Sequence, residues 1–339
     1  MIPFSILDLA HIRQGAGPAD AFARMRRQAR LAESLGYHRY WLAEHHNLPG
    51  IACSATSVLI GHVAQATRHI RVGSGGVMLP NHAPLVIAEQ FGTLETLYPG
   101  RIDLGLGRAP GTDPRTSHAL RRDLTHTSEN FPQDVMELLA HFAGETAPGG
   151  VQAMPGTGLG VPIWLLGSSL FSAQLAAHLG LPYAFASHFA PAMLFQALAT
   201  YRAGFQPSQA LAEPCAMVAV NVVAADSDAE AVRLFTSQQQ MVNNLVSGRP
   251  GPMPPPVDSM EGIWSPHHRA VVEEMTACSV VGGPERVRQG MQALIAETGA
   301  DEIIATVRIF DEDACHRSIS LLAEIMELPA RENAGVDGQ

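Results

Sequence analysis

Residues 70–107, with the sequence IRVGSGGVMLPNHAPLVIAEQFGTLETLYPGRIDLGLG, hold the pattern that decides the fold. A strand-like run over 70–79 leads to a helical stretch over 84–98 and then to a second strand-like run over 101–107. Short apolar runs bounded by glycine and proline are typical of buried strands, and a longer periodic run between them is typical of a crossover helix. The stretch therefore predicts a β-α-β unit with parallel strands.

The same alternation runs along the rest of the chain. Further strands, with helices between them, are predicted at 4–10, 38–43, 163–166, 183–186, 216–225 and 302–309. Eight strands that alternate with helices predict a (β/α)8 TIM barrel with insertions after strands four and seven, and a doubly wound sheet is the alternative. We expect residues 1–330 to form one domain, residues 331–339 to form a flexible tail, and the Pro/Gly-rich segment 248–265 to lie near the active-site rim.

Composition narrows the function. The net charge of −10 and the absence of a basic run argue against a nucleic-acid partner. No apolar run has the length of a membrane span and the N-terminus has no signal-peptide pattern, so we expect a cytoplasmic protein without a membrane partner. All 22 basic residues are arginines, and the lack of lysine excludes Schiff-base catalysis, pyridoxal phosphate attachment and P-loop phosphate binding.

Three titratable residues, Glu44, His45 and His46, follow the second predicted strand. In a parallel barrel the C-terminal ends of the strands carry the chemistry. Because neighbouring side chains on an extended segment point to opposite faces, the two imidazoles are poorly placed to share a metal ion, and we predict no metal site. One histidine is expected to act as an acid, a base or a hydrogen-bond donor to a ligand; the alternative is that both only bind neighbouring loops.

Other strand ends add candidate ligand-binding residues. Gly75 and Gly76 indicate either a β-bulge or a place where a flat aromatic ligand approaches the backbone. Arg108 follows the fourth strand in a glycine-flanked loop and suits an anion. Ser168 and Ser169 start the helix after the fifth strand, where they either cap it or help to bind a phosphate. With Arg108 they predict a mononucleotide phosphate site. His11 and His188, after strands one and six, are further rim candidates, with a structural role as the alternative.

Five segments, taken in order, resemble the bacterial luciferase-like flavin-dependent monooxygenases: WLAEHH (41–46), VGSGGVMLP (72–80), GRIDLGLGR (100–108), PIWLLGSS (162–169) and VGGPERV (281–287). The resemblance covers nearly the whole chain and is nearest to the non-luminescent, single-type branch, which includes oxygenases that tailor aromatic polyketides in antibiotic biosynthesis. It implies a TIM barrel that takes reduced FMN (FMNH2) from a separate NAD(P)H:flavin reductase, oxygenates an apolar, polyketide-like small molecule with O2, and forms a homodimer.

The resemblance also implies residue roles. His45 would be catalytic with Glu44 affecting its orientation, and a cis peptide between Gly75 and Gly76 would lie under the flavin ring. The remaining roles are FMN binding by Arg108, Leu166, Ser168, Ser169 and Ser172, and substrate binding by His11 and His188.

Two departures from luciferase itself argue against light emission and against a complete match of the phosphate site. First, luciferase has a reactive cysteine just before the arginine that binds the FMN phosphate, and this chain has Gly107 there. Second, luciferase has another phosphate-binding arginine, and this chain has Glu129 near that position. Arg121 or Arg122 could replace it only if the fold brought one of them to the phosphate. The alternatives are an F420-dependent oxidoreductase on the same barrel and a non-catalytic flavin-binding protein.

Overall fold

The computed structural model of the protein describes residues 2–109, 114–120, 128–144 and 150–330. Arg121, Arg122 and the predicted tail lie outside these ranges. In the described part of the chain the strands are β1 (Phe4–Asp8), β2 (Arg39–Leu42), β3 (Arg71–Met78), β4 (Ile102–Gly107), β5 (Ile163–Gly167), β6 (Tyr183–Phe185), β7 (Ala216–Ala224), β8 (Ser279–Gly282) and β9 (Glu302–Thr306). The α-helices there are α1 (Pro18–Ser34), α2 (Thr56–Ala66), α3 (Pro84–Leu97), α4 (Pro114–Leu120), α5 (Phe131–Ala143), α6 (Leu170–Leu179), α7 (Leu194–Gly204), α8 (Asp228–Val246), α9 (Pro266–Met275), α10 (Pro284–Thr298) and α11 (Glu312–Ile325).

The strands form a closed parallel barrel. Neighbouring strands follow the order β6-β5-β4-β3-β2-β1-β9-β7, and the pairing of β6 with β7 completes the ring. All nine residues of β7 are buried, as expected for a strand covered on both faces. The (β/α)8 prediction is confirmed, and closure of the ring excludes the open, doubly wound sheet.

The sequence prediction missed the short strand β8. Ser279–Gly282 pairs with Asn221–Ala224 at the C-terminal end of β7, beyond the residues that pair with β6. Asn221 of β7 pairs with Thr306 of β9 on one side and with Ser279 of β8 on the other. Strand β8 therefore lies on the same side of β7 as β6, but nearer to the C-terminal end of β7. A strand of four residues, three of them only half-buried, is too short for its periodicity to be detected.

Helix ends follow the expected proline and glycine signals. Pro18, Pro84 and Pro284 are the first residues of α1, α3 and α10, where the missing amide hydrogen costs no helical hydrogen bond. Gly180 and Gly299 end α6 and α10 in the left-handed region, with φ of 61° and 58°. In the described part of the chain, no helix combines the length and the apolarity needed to cross a membrane.

A network of paired charges fills the N-terminal end of the barrel. The Arg39 guanidinium lies 2.7 Å from Asp103 Oδ2 and 3.0 Å from Glu302 Oε1. Arg71 NH2 lies 2.6 Å from Asp103 Oδ1, and the hydroxyl of Ser5 donates to Glu302. Both carboxylates are buried and each has at least one guanidinium partner, so this end of the barrel is closed by groups that satisfy one another.

Candidate active site

The opposite end of the barrel holds a cavity of about 880 Å3. This volume is in the range of small-molecule and cofactor sites. Ten of the eleven predicted site residues line it: His11, His45, Gly75, Gly76, Arg108, Leu166, Ser168, Ser169, Ser172 and His188. Glu44 is the exception and lies behind the wall.

One corner of the cavity combines a cation with the start of a helix. Arg108 follows β4, and its guanidinium carbon lies 4.2 Å from the centroid of the Phe171 ring. Helix α6 begins after Ser169, and within the described residues no side chain caps its first amides. The Ser172 hydroxyl donates to the Ser169 carbonyl at 3.0 Å, which holds the serine turn in place. Uncapped amides at a helix N-terminus, opposite an arginine, can bind a phosphate.

The third strand gives the cavity a wall made of backbone. The peptide between Gly75 and Gly76 is cis, as the resemblance predicted. The register of β3 against β4 shifts between Ser74 and Val77, so the two glycines also form the predicted irregularity of the strand. A Cβ on Gly75 would lie 2.7 Å from Leu7 Cδ1, and one on Gly76 would lie 2.7 Å from the Gly105 carbonyl oxygen. Glycine is therefore required at Gly76, where the neighbour is backbone, whereas at Gly75 the neighbour is the movable end of a leucine side chain. Without side chains at these two positions, the backbone itself faces the cavity.

Glu44 is buried behind this wall and holds two imidazoles. Its Oε1 lies 2.9 Å from His46 Nε2 and 2.8 Å from His82 Nε2, and its Oε2 accepts from the Met78 amide at 3.2 Å. Burial alone would raise the pKa of Glu44. Its pKa is nevertheless below the usual value, because His82 donates a hydrogen bond and contributes positive charge, and His46 and the Met78 amide donate further hydrogen bonds. Glu44 is therefore a carboxylate that fixes the loop carrying His45, which is a positioning role.

Glu44, His46 and His82 also form a group whose ligand atoms lie within 4.8 Å of one another, a spacing that a metal ion could bridge. The two imidazoles already meet the same carboxylate oxygen, so the contacts among the three residues account for their arrangement. The absence of a metal site therefore stays a prediction. His82 belongs to this group because the fold brings its loop to Glu44.

A second arginine, Arg308, lines the cavity and was missed by sequence reasoning. It follows β9, within the run 302–309 that was predicted as a strand. Burial, partly opposed by the charge of Asp8, lowers its pKa to about 10, so the guanidinium stays charged at neutral pH. The signal that could have identified it was a lone cation near the C-terminal end of an otherwise apolar barrel strand.

The segment 248–265 lies at the mouth of the cavity. Met253 pairs with the loop after β1, where its amide donates to the Ile12 carbonyl at 2.7 Å and its carbonyl accepts from the Gln14 amide at 2.8 Å. Pro250 and Gly251 line the cavity itself. The segment is thus attached to the loop that carries His11, and it contributes to the wall of the cavity.

The comparisons with known proteins agree with this geometry. The model of the family described as "Luciferase-like monooxygenase" matches residues 2–302. A luciferase-like monooxygenase of Escherichia coli (strain K12) is 56% identical over 326 residues, which make up 96% of this chain and 97% of that protein. The crystal structure of apo-MsnO8 is 35% identical with a TM-score of 0.87, covering 98% of this chain and all of the other.

Two more distant structures show the fold alone. The oxygenating constituent of 3,6-diketocamphane monooxygenase from Pseudomonas putida, in complex with FMN, is 18% identical with a TM-score of 0.72 over 95% of this chain and 97% of that one. An F420-dependent secondary alcohol dehydrogenase in complex with an F420–acetone adduct is 16% identical with a TM-score of 0.67 over 98% of this chain and 99% of that one. The same barrel thus occurs with both cofactors.

Proposed function

This chain belongs to the luciferase-like monooxygenase family, and on that premise we propose that it uses reduced FMN and O2 to oxygenate an apolar substrate of the aromatic polyketide type. One observation carries the proposal: a phosphate-binding corner, a glycine wall and a histidine at a strand end all line the same cavity. Each of these features suits a different part of one cofactor and its reaction.

The residues present fit FMN. Arg108 and the first amides of α6 would hold the phosphate, with the hydroxyls of Ser168 and Ser169 beside them. A Cβ at Gly167 would lie 2.1 Å from Ser172 Oγ, so glycine is needed for the serine turn to approach β5 so closely. The wall at Gly75 and Gly76 would lie against the ring system, and Leu166 would contact it from the neighbouring strand.

Reduced FMN, when bound, supplies the electrons that activate O2 for transfer of one oxygen atom to the substrate. The imidazole of His45 would donate a proton to the second oxygen atom, which leaves as water. The backbone amide of His45 donates to the Cys53 carbonyl at 3.4 Å, and Glu44 anchors the next residue of the loop. The loop therefore presents the imidazole from a supported backbone.

The apolar wall of the cavity would exclude water and select the substrate. It includes Leu7, Leu9, Trp41, Phe185, Val242 and Ile304. A dry site favours oxygen transfer over the release of hydrogen peroxide, because water and protons reach the reacting atoms less often. An apolar or aromatic body would gain about 25 cal/mol for each Å2 that it buries there.

Two partners complete the proposal. A separate NAD(P)H:flavin reductase would supply FMNH2, since the sequence has no second nucleotide fingerprint. A second copy of the chain would cover the exposed apolar side chains Val58 on α2 and Val86 and Leu97 on α3. Sedimentation that gives a monomer at micromolar concentration would rule out the homodimer.

A second candidate, hydride transfer with F420, is supported by the occurrence of this barrel in an F420-dependent dehydrogenase. The two functions are separated by supplying FMNH2 under air and recording O2 uptake with an aromatic polyketide such as an anthrone, against anaerobic turnover with reduced F420. Oxygen incorporation from 18O2 into the organic product supports the monooxygenase. Turnover with F420 alone would overturn it, and binding of FMN without any turnover would favour the non-catalytic flavin-binding protein.

A further inference from the structure

Arg308 and Arg108 face each other across the barrel. Arg108 follows β4 and Arg308 follows β9, and in the closed order of eight strands β4 and β9 are four strands apart in either direction. Both side chains line the one cavity. A phosphate that is held by Arg108 and α6 therefore leaves the cation on the opposite wall without an anion.

Within the described residues, the protein itself gives Arg308 no ion-pair or hydrogen-bond partner, and its Nε is buried without an acceptor. Asp8 is the acid whose charge acts on it, but the Asp8 carboxylate already accepts from the Tyr40 hydroxyl at 2.6 Å and from the Ala10 amide at 2.8 Å. A buried cation without a paired anion is destabilising, because it has lost its hydration without gaining a counter-charge. A buried cation of this kind is typical of a binding site in which a ligand supplies the anion.

Two imidazoles accompany the guanidinium. The pKa of His188 is lowered well below its usual value, first by burial and then by the positive charges of Arg308 and His45. The pKa of His11 is lowered in the same way, with Arg24 as a further positive charge. Both rings are therefore neutral at pH 7 and can each donate one N–H without adding charge. His188 Nδ1 is buried without a partner, and the Asn221 amide fixes the loop by donating to the His188 carbonyl at 2.7 Å.

These three residues lie on one side of the cavity. His11 follows β1 and Arg308 follows β9, which are adjacent strands, and His188 follows β6 on the other side of β7. All three side chains line the same cavity. A planar guanidinium and neutral imidazole donors on one cavity wall are groups that can bind a carboxylate.

We propose that Arg308, with His11 and His188, binds the carboxylate of an organic-acid substrate whose apolar body lies along the rest of the cavity. This deepens the proposed function by naming a substrate class, and it rests on that function only for the statement that the bound acid is the molecule oxygenated. Arg308 would set specificity by orienting the acid group on the wall opposite the phosphate corner.

The test compares an acid with its neutral counterpart. Phenylacetate and phenylacetamide differ in charge and little in shape, and calorimetry measures the affinity of each for wild-type protein, Arg308→Gln, Arg308→Lys and His188→Gln, with and without FMN. Arg26→Gln is the matched control, because Arg26 is exposed on α1. Titration with FMN and anaerobically with FMNH2 is carried out on each variant.

We expect wild-type protein to bind phenylacetate about 10- to 100-fold more tightly than the amide, as for a charge-assisted hydrogen bond in a partly desolvated site. Arg308→Gln should abolish this preference and Arg308→Lys should keep part of it, while Arg26→Gln should match wild type. No preference in the wild-type protein, or a preference that survives in Arg308→Gln, would overturn the proposal.

Two further outcomes identify other sources of the anion. If Arg308→Gln weakens FMNH2 binding and not FMN binding while the preference for the acid persists, the anion is the reduced flavin ring and the proposal is wrong. If the wild-type protein binds neither flavin but still prefers the acid, the subsite stands and the proposed oxygenase function fails. Should Arg308→Gln not fold, the wild-type preference and the His188→Gln variant still decide the question.

Discussion

The two ends of the barrel differ in whether their charged side chains have partners within the protein. At the N-terminal end, Arg39 meets Asp103 at 2.7 Å and Glu302 at 3.0 Å, so each buried charge has a partner within the protein. At the C-terminal end, Arg108 and Arg308 have no carboxylate partner among the residues that the structure describes. Paired charges close one end of the barrel, and we propose that the unpaired cations of the other end bind anionic ligands.

This contrast separates effects on stability from effects on function. Substitutions at the paired end should lower the free energy of unfolding and leave ligand affinity unchanged. Substitutions at the unpaired end should change binding or turnover without lowering the free energy of unfolding at neutral pH, because the protein has no partner there to lose.

Removing His45 should produce the largest change. In His45→Ala the rate of product formation should fall about 100- to 10,000-fold, the usual effect of losing a general acid. Hydrogen peroxide should account for the missing oxygen, and FMN affinity should stay within about 3-fold because the phosphate corner is intact. His178→Ala, on the exposed end of α6, is the control. Unchanged product yield in His45→Ala would exclude its catalytic role.

Breaking the paired end should have the next largest effect. Asp103→Ala leaves the Arg39 and Arg71 guanidinium groups without a shared carboxylate. The free energy of unfolding, measured by urea denaturation, should fall by about 3–5 kcal/mol. The control is Asp226→Ala, which breaks an exposed pair with Arg317 and should cause no measurable change. Equal losses in the two variants would mean that burial of the network is unimportant.

Removing the phosphate arginine should have a smaller and more selective effect. Arg108→Gln should weaken FMN binding about 10- to 100-fold, since one charge-assisted hydrogen bond contributes about 1.5–3 kcal/mol. Riboflavin, which lacks the phosphate, should bind wild type and variant alike, and quenching of flavin fluorescence measures both affinities. Parallel losses for FMN and riboflavin would show that Arg108 does not contact the phosphate.

The smallest predicted effect is a dependence of stability on pH. The pKa values of His11 and His188 are lowered in the native state, first by burial and then by the charge of Arg308. Above about pH 6.5 both rings are neutral in the folded and unfolded chains, so they add no pH dependence. Below that pH the unfolded chain binds protons that the native state rejects, and the free energy of unfolding should fall by up to about 1.4 kcal/mol per pH unit for each ring.

The measurement is urea denaturation at about pH 7.5, 6.5 and 5.5 for wild type and for the double variant His11→Gln/His188→Gln. The variant should lose the part of the slope that belongs to these two rings. A slope that is the same in both proteins would contradict the burial of neutral imidazoles at the unpaired end.

The sequence predicted most of the barrel and several residues that line the cavity because those features are local. Arg108 and Ser168 each follow a strand whose apolar run is visible in the chain, Gly75 and Gly76 lie within such a strand, and parallel strand ends meet at one rim. Strand β8 escaped because four residues carry too little periodicity.

The sequence could not predict groups that closure of the barrel brings together. Arg308 and His11 line the same cavity from adjacent strands only because β9 pairs with β1, and nothing near Arg308 in the chain indicates that pairing. His82 Nε2 lies 2.8 Å from Glu44 Oε1, and no spacing in the chain predicts this contact because the two residues lie on separate loops. An arginine with carboxylate partners in the fold has a structural role, whereas an arginine without such partners is a candidate for ligand binding. The residue type alone does not separate the two.

We propose that the unpaired end of the barrel binds a reduced flavin and lets it react with O2. The decisive experiment is anaerobic titration of the wild-type protein with FMNH2 and with reduced F420, monitored by flavin fluorescence, followed by admission of O2 to each complex. FMNH2 should bind more tightly than reduced F420, and the FMNH2 complex should take up O2 promptly. Tighter binding of F420, or an FMNH2 complex that reacts with O2 no differently from free FMNH2, would contradict it.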